Sequence, residues 1–354
     1  MSPLRLLYVG PINSSHVEDL AIAMRERGHV VEAAGQVWGG GLPASSLPEH
    51  GVPTHVMSLP AILWMRRVLR RFRPDIVHTH WMPFATLAVL AGGRRIVSSA
   101  WGSDVYGVSR RQRLMIRLAL RRVAVAVADS ADLIRRLEEL GPRSVRTLLV
   151  NWGVDLERFM VPDPAERSEL KARFGFGSGP LVLSARGLKE VYNPEIVVEA
   201  FERLRQAVPG AQLALKHGGT EGLVRPEWRA AEGVRILGRL DYGKLADLFR
   251  AADVTVSLAS SDSSPRSVWE AMAAGSATVV SELPWVHELI VDGRDALVVP
   301  LEAAAVATAV ERLLREDELC TRLTASAREL VEQHRDREVE LGRLEDCYRE
   351  LAEG

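Results

Sequence analysis

The sequence predicts an α/β protein of two Rossmann-like domains, and three observations carry that expectation. The chain has 354 residues, more than one ordinary core holds, so two domains of roughly 150 residues are expected. Short apolar runs alternate with amphipathic stretches along most of it, the pattern of parallel strands buried on both faces between covering helices. The alternation lapses between Asn151 and Pro180, where Pro, Asp and Gly accumulate as in an interdomain passage. A composition of 47% hydrophobic and 26% charged residues sets aside disordered and fibrous classes.

Leu4 to Val9 is an apolar run closed by Gly10-Pro11 and reads as the first strand. His16 to Arg27 places Val17, Leu20, Ala21 and Met24 on one helical face and stops at Gly28. His29 to Ala33 is the second strand, completing a β-α-β unit whose crossover is right-handed. The series continues with helix 61–71, strand 75–79, helix 84–91, strand 95–98, helix 110–121, strand 124–128, helix 131–140 and strand 145–149. A second series has strands near 181–184, 212–216, 234–237, 254–258 and 278–281, with helices at 194–206, 244–251, 268–273 and 285–291. A charged helical tail runs from Leu301 to Leu351. Domains are therefore expected over 1–160 and 161–330, with a last helix in 331–354 packing back toward the N-terminal domain. Tandem sheets of this kind leave a deep interdomain cleft, where the C-terminal strand ends face each other, as the expected ligand site.

The net charge of −1 conceals an asymmetry. From Ala61 to Val150 every Lys/Arg position is arginine, and the tail from Glu302 is acid-rich. AILWMRRVLRR and SRRQRLMIRLALRR interleave Arg with Leu, Ile, Met and Trp, which suits either an anionic membrane surface or an ordinary sheet-covering helix with a charged outer face. No nucleic-acid motif accompanies the basic clusters, so nucleic acid is not an expected partner. Cys320 and Cys347 have no metal-ligand spacing and read as reduced thiols. The N-terminus resembles no signal peptide and no run reaches transmembrane length, so a cytoplasmic protein, at most peripheral to the inner face of the membrane, is expected.

The chemistry-bearing positions fall at expected strand ends. Asp262 and Glu270 stand eight residues apart around a polar turn containing Pro265. They read either as a site for an oxygen-rich ligand beside a helix N-terminus or as an N-capping Asp and a first-turn Glu. Arg186 and Lys189 follow the first strand of the second domain; they suit a diphosphate clamp, or solvated loop cations. In the first domain, His78, His80, Trp81, Trp101, Ser103 and Asp104 lie at strand ends. Either His reads as an acid or base or as a satisfied strand-end residue, and the Trp rings as sugar platforms or buried aromatics. A metal site is discounted for want of a third ligand. There is no P-loop, no GxGxxG after the first strand and no GxSxG elbow, which disfavours dinucleotide cofactors and hydrolase chemistry.

These positions resemble those of the GT-B retaining glycosyltransferases of family 4, also called group 1, nearly end to end. The likeness is strongest over GRLDYGKLADLFRAADVTVSLASSDSSPRSVWEAMAAGSATVVSELPWVHELI, similar to that family's donor half with its paired carboxylates and "EAMAxG" helix. NWGVDLERF is similar to its interdomain segment and WGSDV to its acceptor-side strand end. The resemblance implies that Glu270 binds the ribose hydroxyls of a nucleotide-sugar, that Asp262 faces the donor sugar, and that Arg186, with Lys189, meets the diphosphate. It assigns Arg239 and Leu240 to the base and the turn Ser264, Pro265, Arg266, Ser267 and Val268 to the sugar and diphosphate, with Gly10 a further donor contact. His16, His80, Trp81, Trp101, Ser103 and Asp104 become acceptor-side residues.

Three features depart from the family. Val191-Tyr192-Asn193 stands where a Lys is usual, Trp101 where many members have His, and Ser263 to Ser267 is more polar than the common turn. The implied activity is metal-independent transfer with retention from a nucleotide-sugar, a UDP-sugar foremost, to a small-molecule or lipid-linked sugar acceptor, without a cofactor. A glycosyl phosphorylase, a nucleotide-sugar epimerase and a non-catalytic nucleotide-sugar sensor are the alternatives.

Overall fold

The computed structural model describes residues 2–12, 14–36, 49–51, 56 and 58–354. They form two compact units, Met1–Trp152 with Glu340–Gly354, and Gly153–Val339.

In the first unit the chain runs β1 (Arg5–Pro11), α1 (Ser15–Glu26), β2 (Val30–Gln36), β3 (Glu49–Gly51), α2 (Leu59–Phe72), β4 (Ile76–His80), α3 (Met82–Leu90), β5 (Ile96–Ser99), α4 (Arg110–Leu120), β6 (Val125–Ala128), α5 (Ala131–Leu140) and β7 (Thr147–Leu149). All seven strands are parallel, in the order β3-β2-β1-β4-β5-β6-β7. The order reverses between β1 and β4, so the loops after these strands diverge and open a crevice at their C-terminal ends. Ser58, Ser109 and Ser130 cap α2, α4 and α5 by accepting from the backbone N–H three residues on, which satisfies donors that a helix start leaves unpaired.

The second unit contains α6 (Pro164–Arg173), β8 (Leu181–Ser184), α7 (Pro194–Ala207), β9 (Gln212–Lys216), α8 (Pro226–Ala230), β10 (Val234–Leu237), α9 (Tyr242–Ala251), β11 (Val254–Ser257), α10 (Arg266–Ala273), β12 (Ala277–Ser281), β13 (Leu297–Val299), α11 (Ala303–Arg315) and α12 (Asp317–His334). Its six strands are parallel in the order β10-β9-β8-β11-β12-β13, with the reversal between β8 and β11.

Two elements correct the sequence reading. Helix α6 lies inside the stretch expected to be a passage: Asp163 caps it, and Leu170 is buried in the core of the second unit. The segment expected as a helix over 285–291 holds only a one-turn 3-10 helix, Val286–Glu288, and ends in a turn where the Val291 N–H donates to Asp295 Oδ2 at 2.9 Å.

The last helix, α13 (Arg337–Glu353), returns to the first unit. Leu341, Leu344, Cys347 and Tyr348 are buried with Leu6, Tyr8, Val17 and Met24, so α13 and α1 cover the same face of the first sheet. The opposite face carries α2, α3, α4 and α5. Glu345 fastens α13 to the turn after α1, accepting from Arg27 Nη1 at 2.9 Å and from Arg349 Nη2 at 2.6 Å and meeting His29 Nε2 at 3.2 Å. Its burial favours the neutral acid, but these partners outweigh that and bring its pKa down to about 2.

Candidate functional site

In the second unit, the four residues expected to carry chemistry separate into an ion pair, Arg186 with Asp262, a second group around Glu270, and an outlier, Lys189. Arg186 follows β8 and Asp262 follows β11, the two strands that flank the reversal of strand order. Arg186 Nη2 donates to Asp262 Oδ2 at 2.6 Å and its Nη1 donates to Ser267 Oγ at 3.1 Å. Both side chains of the ion pair are about one-seventh exposed, 14% and 15%. The guanidinium also lies 4.3 Å from the centroid of Tyr192, a cation–π contact that holds the fork in one plane. Burial alone would weaken the Arg186 charge; Asp262 and Tyr192 more than offset it, and the pKa is raised. Asp262 therefore orients Arg186, a use of this carboxylate that the sequence reading did not assign. Lys189 is exposed, precedes the 3-10 turn Glu190–Tyr192, and forms no ion pair among the described residues.

Glu270 is buried, 3% exposed, and forms the second pole. Arg266 Nε lies 2.8 Å from its Oε1, and the Tyr242 hydroxyl donates to the same oxygen at 3.0 Å. Arg266 also donates to the Tyr242 hydroxyl, with its guanidinium 4.5 Å from that ring. This corrects the expected helix start. The sequence reading began the helix at Val268 and put Glu270 in its first turn; α10 begins at Arg266, so Glu270 is one turn further in and pairs with Arg266 at i, i+4. The reason is Pro265, whose extended φ of −66° and ψ of 129° puts it at the N-cap.

The polar turn is more closed than expected. Ser263 and Ser264 are buried, and Ser264 Oγ accepts from Trp269 Nε1 at 2.9 Å. Ser264 has a φ of 44°, a left-handed conformation uncommon for a residue with a side chain. Pro265 has no N–H to offer a ligand. Val268 is fully buried and its N–H donates to the Pro265 carbonyl at 3.0 Å, which corrects its expected place among the donor contacts. Arg239 is exposed, and Leu240 packs partly buried against the core.

In the first unit, the expected residues also divide. His16, His80 and Trp101 come together with Trp152, a residue of the NWGVDLERF stretch with no expected role: the His16 ring lies 4.6 Å from Trp152 and 5.4 Å from Trp101, and His80 lies 5.9 Å from Trp152. His80 is fully buried, and among the described residues neither ring nitrogen meets a hydrogen-bond partner. Burial, with His78 and His16 nearby, pushes its pKa well down, so it is a neutral imidazole. His78 is a core residue that pairs with the Tyr348 hydroxyl and with Ser99 Oγ.

Asp104, Ser103, Trp81 and Gly10 serve the scaffold or lie apart from this cluster. Asp104 is buried and accepts from the Met82 N–H at 2.6 Å and the Trp101 N–H at 2.9 Å, tying the loop after β5 to the start of α3. Burial raises its pKa to about 6 despite these bonds. Ser103 is exposed. Trp81 stands at the N-cap of α3 with a φ of 76° and its ring 6.3 Å from Phe84. A Cβ on Gly10 would lie 3.0 Å from His80 Cβ; its missing side chain is required by the approach of β4.

Two family models match the chain: "Glycosyl transferases group 1" over residues 166–330 and "Glycosyltransferase Family 4" over residues 14–158. A phosphatidyl-myo-inositol mannosyltransferase of Mycobacterium tuberculosis is 27% identical over 90% of this chain and 88% of its own. A GDP-mannose-dependent alpha-(1-6)-phosphatidylinositol monomannoside mannosyltransferase of Mycolicibacterium smegmatis is 32% identical, the match spanning 47% of this chain and 45% of that protein. Among solved structures, sucrose-phosphate synthase from Thermosynechococcus elongatus is similar with a TM-score of 0.83 at 18% identity, covering 98% of this chain and 99% of that one. Anabaena Alr3699/HepE in complex with UDP and glucose is similar with a TM-score of 0.81 at 16% identity, covering 97% and 98%; likenesses at this identity establish the fold.

Proposed function

The chain belongs to the group 1 glycosyltransferases, and from that premise we propose that it transfers a sugar from a nucleoside-diphosphate donor to an acceptor hydroxyl with retention at the anomeric carbon and without a metal ion. The observation that carries the reading is the pair of poles at the β8/β11 reversal, Arg186 with Asp262 and Ser267, and Glu270 with Arg266 and Tyr242. Glu270 accepts from the ribose hydroxyls, and Arg186 meets the diphosphate. As the bond from the anomeric carbon to the β-phosphate oxygen breaks, negative charge grows on the leaving diphosphate. A guanidinium already held by Asp262 and Tyr192 stabilises that charge with little reorganisation. The acceptor oxygen bonds to the anomeric carbon on the face the diphosphate leaves, and its proton passes to a diphosphate oxygen.

Among the sequence relatives, mannosyltransferases at 32% and 27% identity, one of them named GDP-mannose-dependent, stand above a glycogen synthase at 25%. GDP-mannose therefore stands ahead of the UDP-sugar expected from sequence as the first donor to test. The test offers GDP-mannose and UDP-glucose in turn, with EDTA present, and reads the anomeric configuration of the product by NMR. Transfer with retention supports the reading. Inversion, or loss of transfer in EDTA, contradicts it; phosphate-dependent release, isomerised donor or tight binding without turnover would indicate the phosphorylase, epimerase or sensor.

The acceptor is proposed to be lipid-linked and met at an anionic membrane. Helices α2 and α4 both pack on α3 in the first unit. They expose Leu59, Leu63, Leu114 and Leu118 beside Arg66, Arg67, Arg70, Arg71, Arg110, Arg111, Arg113 and Arg117. Among the described residues none of these eight arginines forms an ion pair. Unpaired arginines around exposed leucines match an anionic lipid surface, at about 1 kcal/mol per cation near the membrane. Co-sedimentation with vesicles containing phosphatidylglycerol is expected at low salt and lost when Arg66, Arg67, Arg70 and Arg71 are all replaced by glutamate. Absence of binding by the wild type at low salt would contradict it. No helix among the described residues is long and apolar enough to cross a membrane.

A further inference from the structure

The polar residues of the second unit do not balance. Asp262 is taken by Arg186 and Glu270 by Arg266, which leaves a partly buried cation that no sequence motif marks. Lys216 ends β9, the strand next to β8 on the side away from β11. The register pairs Ser184 with Leu215, so Lys216 stands level with the start of the loop that carries Arg186. The loops after β8 and β9 are clipped together, Leu188 N–H donating to Thr220 Oγ1 at 3.0 Å and Thr220 N–H to the His217 carbonyl at 2.8 Å. A Cβ on Gly218 would lie 3.4 Å from Lys216 Nζ and 4.0 Å from Gly187 Cα. The ammonium is thus close to the bare backbone of Gly218, which the Gly187 backbone also approaches, and no side chain there keeps phosphate oxygens away.

No hydrogen bond or ion pair engages Lys216 among the described residues, although the side chain is only partly exposed. A largely buried ammonium without a counter-ion is costly to keep. Burial lowers its pKa; Glu270 acts the other way, and Arg239 and Arg186 add to the lowering. Such a group is retained where an anion arrives to pair with it.

We infer that Lys216 is the second cation of the diphosphate site, meeting the phosphate oxygens from the β9 side while Arg186 meets them from the β8 side. The inference rests on the donor reading above and replaces the exposed Lys189 in that role. Tyr192, in the stretch Val191-Tyr192-Asn193 that stands where a Lys is usual, lies against the Arg186 guanidinium, so the second charge comes from a neighbouring strand.

The experiment titrates GMP, GDP, UMP and UDP into the wild type and into Lys216→Met, Lys216→Arg and Lys189→Met by calorimetry, with melting temperatures alongside. Lys216→Met is expected to weaken the preferred diphosphate about tenfold or more, the loss of one charge-assisted contact. It should change the matching monophosphate much less, Lys216→Arg should restore most of the diphosphate affinity, and Lys189→Met should resemble the wild type. A merely structural lysine would weaken mono- and diphosphate alike. That result, or an unweakened diphosphate, overturns the inference while the donor reading stands. A wild type that binds none of the four nucleotides overturns both. Should Lys216→Met fail to fold, Lys216→Gln carries the same comparison.

Discussion

Replacing Arg186 by alanine is expected to lower kcat/KM for sugar transfer by about two to three orders of magnitude, most of it in kcat. The side chain does two things that no neighbour can take over. It presents a positive fork at the β8/β11 reversal, and it neutralises Asp262, only 15% exposed. Without it, the leaving diphosphate loses a preorganised partner and Asp262 adds an uncompensated negative charge beside it. Arg186→Lys is expected to fall between, since a lysine keeps the charge but cannot reach Asp262 and Ser267 together. Glu270→Ala should differ in kind. A residue that holds the nucleoside equally in the ground state and the transition state raises KM more than it lowers kcat. Steady-state kinetics on the three variants checks the ordering, and full activity in both alanine variants would rule out the assigned site.

The second large effect belongs to the scaffold. Gly35→Ala is expected to destabilise the first unit by about 3 kcal/mol or more, because the added methyl cannot be accommodated without parting two central strands. Gly35 pairs with Gly10 in the β1–β2 register, and its Cβ would fall 1.7 Å from the Gly10 carbonyl oxygen. For a unit of this size that loss corresponds to a melting temperature lower by about 6–12 °C. Gly28→Ala is the control. It also has positive φ, at 91°, but a Cβ there meets nothing within 4 Å. It should lose only the backbone preference, about 1 kcal/mol. Thermal melts of the two variants separate the clash from the conformational cost; equal losses would mean β2 shifts freely.

The alternation of strands and helices was legible because most strands are short apolar runs buried on both faces, as Leu6 to Val9 and Val254 to Val256 are. β3 and β13 were not, since each has three residues and no periodicity to read. Of the site, Arg186, Asp262 and Glu270 could be placed near strand ends from the sequence. Their pairing could not, because it depends on which strands flank the reversal and on the start of α10 at Arg266. Tyr242 and Lys216 were missed for the same reason. Each looks like an ordinary end of an element until the strand order β10-β9-β8-β11 brings it beside Glu270 or Arg186. Asp104 is the opposite case, a carboxylate in a motif-like stretch whose two oxygens are used by the Met82 and Trp101 N–H groups.

Hydrogen exchange read by mass spectrometry, with and without GDP or UDP, tests most directly whether the donor binds at the β8/β11 reversal of the second unit. A ligand that binds only the native state suppresses local opening where it sits. Slower exchange is expected over 185–188, 216–220 and 262–268, and the effect should vanish in Arg186→Ala. Protection confined to the first unit, or the same protection in wild type and variant, would contradict the account.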